Sequence, residues 1–248
     1  MKKNVASIFT LVLISFCSVM IFGFSDGPGK KQPKVLVFYK TNGFYHKSIP
    51  AGISAIQKLG KENGFDCDTT KDSLQFNSKN LKQYAAVIFL NTTMDVLGEA
   101  EQTAFQKFIR SGKGYAGVHA ASDTEYGWPW YNQLVGAYFK SHPKQQKAKL
   151  KVTDNSFIAT RHLPAEWSVW DEWYNFKSTQ WDNVKVLITL DETSIEGGEN
   201  GGFHPASWYH EFEGGRSFYT ALGHTDEIYS DPLFLKHLLG GIQYAIGK

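Results

Sequence analysis

The sequence predicts an α/β fold in which a mostly parallel sheet lies between two layers of helices, with extra strands in the second half. Three observations carry that reading. Short β-branched and aromatic runs alternate with amphipathic segments of helical length as far as residue 119. Two of the runs, AAVIFLN (85–91) and GYAGVH (114–119), are almost wholly apolar, as strands covered on both faces should be. The second half is richer in strand-like runs, with fewer helical segments between them.

Taken in order, KVLVFY (34–39) is the first strand. Ser48 and Pro50 mark a helix start, as N-cap and early helical residue. Ile53, Ile56 and Leu59 give that helix an apolar face, and Gly64 follows its end. FDCDTT (65–70) and AAVIFLN are the second and third strands. Gly98 to Arg110 is helical, with Ala104, Phe105, Phe108 and Ile109 on one side. GYAGVH is the fourth strand. AKLKVTD (148–154), EWYNFK (172–177), VKVLITLD (184–191) and GRSFYTALGH (215–224) follow as strands, the last running into a loop. GGENGG (197–202) reads as a mobile loop. A helix from about Asp231 to Ile246 closes the chain, packing Leu235, Leu238, Leu239 and Ile242. In such sheets ligands bind outside the carboxyl ends of the strands. That edge receives KTNGFYHKS (40–48), NTTMD (91–95) and HAASD (119–123).

The ends of the 248-residue chain differ in character. Lys2 and Lys3 precede an apolar run from Val5 to Phe24, and Gly23 and Ser25 are the small residues of a cleavage site. Residues 1–25 therefore read as a signal peptide cut near Ser25, which implies export to the periplasm or cell surface. The alternatives are lipid attachment at Cys17, although Phe16 before it is bulky, and an uncleaved anchor, since the run nears the ~20 residues that span a bilayer. DGPGKKQP (26–33) reads as a tether, and residues 34–248 as a single domain. The first 25 residues hold two lysines and no acid, so their removal takes the net charge from +2 to 0. No basic stripe is left to suggest a nucleic-acid partner. Cys67 is then the only cysteine, so an intramolecular disulfide is excluded. Neither a Walker loop nor a G-x-G-x-x-G motif supports nucleotide binding.

Eight histidines lie within residues 34–248, and His46, His119, His142, His210 and His224 stand at strand ends or in the loops after them. Read alone, each is a structural, hydrogen-bonded residue. Several converging on one edge mark a binding site. In GVHAASD (117–123), Gly117 and Ala120 flank His119 at a turn of the kind that holds a nucleophile in many α/β enzymes. A histidine there serves as base, acid or metal ligand. The N–H groups of 120–122 would open a helix N-terminus suited to an anion. Asp123 either orients His119 or caps that helix. A divalent metal would draw on separate loops, with His46, His119, His142 and His224 as candidate ligands, since no H-x-x-x-H or H-E-x-x-H motif is present. In DEWY (171–174), Asp171 and Glu172 would face opposite sides of a strand, so that only one enters a given site. That acid is either an acid–base group or an edge charge. Trp128, Trp130, Trp173 and Trp208 are either platforms for sugar rings or core. Arg216 would pair with a structural or substrate carboxylate, and Gly223 lets the chain turn so that His224 points into the cleft.

The segments FYHKSIPAGI (44–53), NTTMDVL (91–97), GKGYAGVHAASD (112–123), YNQLVGAYFKSHP (131–143), DEWYNF (171–176), PASWYHEFEGGRSFYTALGH (205–224) and FLKHLLGGIQYA (234–245) together resemble the ThuA-like, or trehalose-utilisation, family. That family looks related to the class I glutamine amidotransferases, which implies a flavodoxin-like, three-layer sandwich. In those enzymes the turn carries a cysteine. His119 stands in its place here, so amidotransferase chemistry is not carried over. The resemblance implies sugar metabolism, often beside an oxidoreductase that makes 3-keto-glycosides. It further implies action on a small keto-sugar or glycoside by isomerisation, elimination or hydrolysis. Within that reading His119, Asp123, Glu172 and His224 are the expected catalytic groups. Tyr45, His46, Asn91, Trp128, His142, Asp171, Tyr174, Trp208, His210 and Arg216 are the expected substrate contacts. A non-catalytic sugar-binding module and a metal-dependent hydrolase of another substrate class are the alternatives.

Overall fold

Five short strands build the parallel half of the molecule: β1 (Lys34–Phe38), β2 (Asp66–Thr70), β3 (Ala86–Leu90), β4 (Gly114–Val118) and, much later in the chain, β11 (Gly215–Thr220). They lie in the order β2-β1-β3-β4-β11, all parallel. The computed structural model describes residues 32–248. The signal peptide expected at 1–25, and residues 26–31 of the expected tether, lie outside the described residues. Among the described residues no helix is long and apolar enough to cross a membrane.

β3 and β4 are buried along their whole length, as their apolar sequences require. On one face lie α1 (Ile49–Asn63) and α5 (Pro232–Ile246), which touch each other. On the other lie α2 (Ser78–Leu81), α3 (Glu99–Arg110) and α4 (Pro129–Val135), where Phe89, Phe105, Tyr115 and Tyr131 pack into one aromatic core. α5 presses close to the sheet because Gly114 and Gly241 carry no side chain. A Cβ on Gly114 would run into the Ala245 carbonyl, and one on Gly241 into the Phe218 ring. Arg216 secures the same contact, since its guanidinium donates to the carbonyls of Tyr244, Ala245 and Gly112. A cation on the last carbonyls of a helix is favourable there.

The second half adds β5 (Tyr138–Ser141), β6 (Gln146–Val152), β7 (Glu166–Asp171), β8 (Asn175–Lys177), β9 (Lys185–Asp191) and β10 (Pro205–Phe212). β10, β9, β6 and β7 extend the sheet from β11 by antiparallel pairing, and β5 pairs with β8 in a small separate sheet. Of the strand expected at 172–177 only Asn175–Lys177 forms one, β8; β7 stops at Asp171, and residues 172–174 lie between strands. β5, β7 and β10 stand where no strand was expected. GGENGG is a loop but a tethered one. The N–H groups of Glu199 and Asn200 donate to Asn175 Oδ1 and Glu192 Oε1, and the N–H of Phe176 to Asn200 Oδ1. The segment after β4 is a four-residue 3-10 turn, His119–Ser122, rather than the start of a long helix. Ser48 does precede α1, but its hydroxyl donates to the Gly223 carbonyl and caps nothing in the helix.

His237, fully buried in α5, bonds through Nδ1 to the Ala159 carbonyl (2.8 Å), while Nε2 has no partner among the described residues. Burial lowers its pKa to about 4. The unfolded chain takes up this proton near pH 6.5, and the native state only near pH 4. Stability therefore falls as pH drops through that window, by about 3 kcal/mol from this residue. His237→Gln should remove that share. The stability gap between wild type and variant, followed by denaturant titration, should shift against the wild type from pH 7 to pH 4. A gap constant with pH would contradict the assignment.

Candidate functional site

At the carboxyl edge of the parallel strands the chain is held in unfavourable backbone conformations. Asn91 (φ 51°), Met94 (φ 63°), His119 (φ 47°) and Glu125 (φ 57°) all sit in the left-handed region, which costs non-glycine residues energy and recurs at functional sites. His119 is the tip of the turn after β4. Its carbonyl accepts from the Tyr219 hydroxyl (2.7 Å), and its Nδ1 lies 2.8 Å from the Ala221 carbonyl. A carbonyl only accepts, so Nδ1 carries a hydrogen, and in the neutral ring Nε2 presents a lone pair.

That lone pair faces three other groups. His119 Nε2 is 3.1 Å from His224 Nδ1 and 3.5 Å from Glu172 Oε2, and His224 Nδ1 is 3.0 Å from the same oxygen. His46 completes the cluster, its ring centred 4.9 Å from that of His119 and 5.0 Å from that of His224. One ligand atom from each of His46, His119, Glu172 and His224 lies within 4.8 Å of every other. His46, His119 and Glu172 are buried, and His46 Nδ1 has no hydrogen-bond partner among the described residues. Ligands ~2.0–2.2 Å from a tetrahedral ion stand ~3.3–3.6 Å apart. The spacings among His119, His224 and Glu172, 3.0–3.5 Å, are near that value, and a ligand atom of His46 stands within 4.8 Å of all three.

The protonation states suit one as well. Burial pushes the Glu172 carboxyl up, but its interactions with His119 and His224 prevail and hold it well below the usual carboxylate range. Burial, reinforced by His119 and His224, lowers His46 to about 2. An ionised carboxylate beside a neutral imidazole is the form in which these groups bind metals.

Asp171 does not compete with Glu172 for the site. Its fully buried carboxylate accepts from the N–H groups of Gly223 (2.8 Å), His224 (3.1 Å) and Glu172 (3.0 Å). Burial raises its pKa despite these bonds. Both acids thus serve one centre, because β7 ends at Asp171 and strand alternation does not extend to Glu172. Asn91 braces the floor, donating to Ser48 Oγ and the Gly223 carbonyl. Tyr174 forms a wall, its ring 4.2 Å from that of His119. His142 is half-exposed outside the cluster, with Nδ1 3.2 Å from Glu172 Oε1. The four expected metal ligands are therefore corrected in one place, with Glu172 standing where His142 was expected.

Other expected site residues lie elsewhere. Arg216 pairs with Gly114 in the register of β11 and β4, at the opposite edge of the sheet from His119. His210 is buried against the Leu134 carbonyl, and Trp208 is a core residue bonded to the Val135 carbonyl. Trp128 is buried in a stack with Trp130, and Trp173 donates from the core to the Gln146 carbonyl. Asp123 accepts from the Tyr126 hydroxyl, so it neither orients His119 nor caps a helix. Ser48, the Ala221 carbonyl, Phe44 and Thr225 were missed. A backbone carbonyl leaves no trace in a sequence, and Ser48 carried only the signature of an N-cap.

Two concave regions are relevant. A groove of about 680 Å³ between α1 and α5 contains no histidine. An open pocket of about 360 Å³ reaches His224 and is lined by Phe44, Lys47, Ser48, Gln145, Thr225, Asp226 and Glu227. Chemistry favours the smaller one as the mouth of the site. Phe44 and Tyr45 beside it are 63% and 53% exposed, although burying a Phe side chain yields ~1.5–3 kcal/mol.

Residues 34–245 match the trehalose-utilisation (ThuA) family. No curated protein matches the chain. Among solved structures, the fold is similar to that of a ThuA-like protein from Bacteroides uniformis ATCC 8492 (TM-score 0.75, 23% identity, 91% of this chain and 96% of that one). A ThuA-like protein from Parabacteroides merdae ATCC 43184 is similar as well (TM-score 0.69, 20% identity, 88% and 91%). So is a part of a β-galactosidase from Bacillus circulans sp. alkalophilus (TM-score 0.57, 14% identity, 86% and 31%). The sequence match spans nearly all of the described residues, and the chain belongs to the trehalose-utilisation family.

Proposed function

We propose that this chain is an exported, metal-dependent enzyme that acts on a keto-sugar or glycoside by proton transfer. Membership of the trehalose-utilisation family points to a carbohydrate-related role. The observation that carries the enzymatic reading is the convergence of His46, His119, Glu172 and His224 from four separate segments, with one ligand atom of each within 4.8 Å of every other. Export is supported by the lysines and apolar run of residues 1–25.

These four residues would hold a divalent cation. A bound cation supplies Lewis-acid polarisation of a substrate oxygen. The rest of the chemistry belongs to the chain. His119 is held in one tautomer by the Ala221 carbonyl, and His224 is fixed through its backbone by Asp171. With His119 committed to the cluster, His142 is the imidazole left free to move protons, half-exposed and leaning on Glu172 Oε1. A carbon next to a sugar carbonyl has an acidified C–H bond. His142 would take that proton and return it at a neighbouring position, or pass it to a leaving oxygen, so isomerisation and elimination are both open. A sugar oxidoreductase acting beforehand would supply the carbonyl.

A second reading is favoured by the same distances. His119 Nε2, His224 Nδ1 and Glu172 Oε2 are within hydrogen-bond range, so they also form a metal-free proton relay.

Metal analysis separates the two. The purified protein should retain about one equivalent of divalent metal after dialysis, and chelation should lower its melting temperature. His119→Ala and Glu172→Gln should each abolish retention. A folded wild type that retains no metal, and whose melting is unmoved by added zinc, manganese or cobalt, would leave only the relay. In a separate assay the metal-loaded protein should turn over 3-keto-trehalose or a 3-keto-glucoside. His142→Ala should lower kcat by roughly 10²-fold or more with metal content unchanged. An unchanged rate in that variant would remove His142 from the mechanism.

A further inference from the structure

Phe44 occupies a position that the fold alone does not explain. Its ring is largely in solvent and lies nearly parallel to that of His224 (14°, centroids 6.4 Å apart). The backbone that carries it is pinned. The N–H groups of Asn42 and Gly43 donate to the Thr93 carbonyl and Thr93 Oγ1, and that hydroxyl donates to the Phe44 carbonyl. A rigid loop thus holds an apolar ring at the mouth of the histidine cluster.

The 360 Å³ pocket beside it falls within the ~300–1,000 Å³ of small-molecule sites. Its rim carries Lys47, Gln145, Asp226 and Glu227. Thr225 Oγ1, in its wall, is buried with no hydrogen-bond partner among the described residues. An apolar platform beside several hydrogen-bonding groups suits a pyranose, which offers C–H bonds on its face and hydroxyls around its edge. Two carboxylates against one ammonium group in the lining disfavour a phosphate.

We propose that this pocket is a subsite for a neutral, unphosphorylated pyranose ring, stacked on Phe44 and hydrogen-bonded by Thr225, Asp226 and Glu227. The inference rests on the carbohydrate reading above but does not require the metal.

The test is binding of trehalose and trehalose 6-phosphate to the protein by calorimetry and saturation-transfer NMR, with metal content measured on the same samples. Trehalose should bind, and Phe44→Ala should weaken it roughly tenfold with metal content and circular dichroism unchanged. Phe44→Trp should preserve binding. Trehalose 6-phosphate should bind at least about tenfold more weakly, and the D226N/E227Q double variant should narrow that difference. Absence of trehalose binding, equal affinity in Phe44→Ala, or a preference for the phosphate would overturn the subsite. Metal retention and keto-sugar turnover without trehalose binding would overturn the subsite alone. Phe44-dependent sugar binding in a protein that holds no metal would overturn the metal-dependent function and leave the subsite standing.

Discussion

The buried carboxylate of Asp171 is the interaction on which the site depends. β7 lies five strand positions from β4, which in a flat sheet is about 24 Å. Yet Glu172, the residue after β7, sits 3.5 Å from His119, the residue after β4. The antiparallel half must therefore curl back over the end of the parallel half. Asp171 fastens that closure by accepting the N–H groups of Gly223 and His224. A carboxylate so deeply buried is costly unless its oxygens are fully used, and here three backbone donors use them. The same residue fixes the backbone of both Glu172 and His224, so the closure of the sheet and the placement of two cluster members are one event.

The turn at His119 supplies the other half of the arrangement. Its left-handed backbone is held by the Tyr219 hydroxyl on the His119 carbonyl and by the Ala221 carbonyl on the ring. β11 contributes Tyr219, and the loop after it contributes Ala221, Gly223 and His224, so β4 and β11 must pair correctly before the cluster exists. Burying an ionised carboxylate without a countercharge is unfavourable. A divalent cation beside it would offset that cost, which links the charge balance of the cluster to the proposed chemistry.

Much of this was legible in the sequence where local pattern decides structure. β3 and β4 are apolar runs buried on both faces, and Ile56 and Leu59 mark the face that α1 buries. His46, His119 and His224 were legible as strand-end residues of one edge. β7 was not: a strand was read at 172–177, whereas the alternation of Trp167, Val169 and Asp171 belongs to a strand that ends before Glu172. That slip made Asp171 and Glu172 look like rivals. Trp208 and Trp128 looked like ligand platforms because an aromatic-rich stretch does not reveal which side of the fold it faces, and both are core. Arg216 was read as a partner for a carboxylate. It instead satisfies carbonyls at the end of a helix distant in sequence.

X-ray absorption spectroscopy at the zinc edge of the zinc-loaded protein tests the central claim most directly. The account predicts three imidazole nitrogens and at least one carboxylate oxygen at ~2.0–2.2 Å, with loss of imidazole scattering in His224→Ala. A shell of oxygen ligands alone, or one unchanged in that variant, would contradict it.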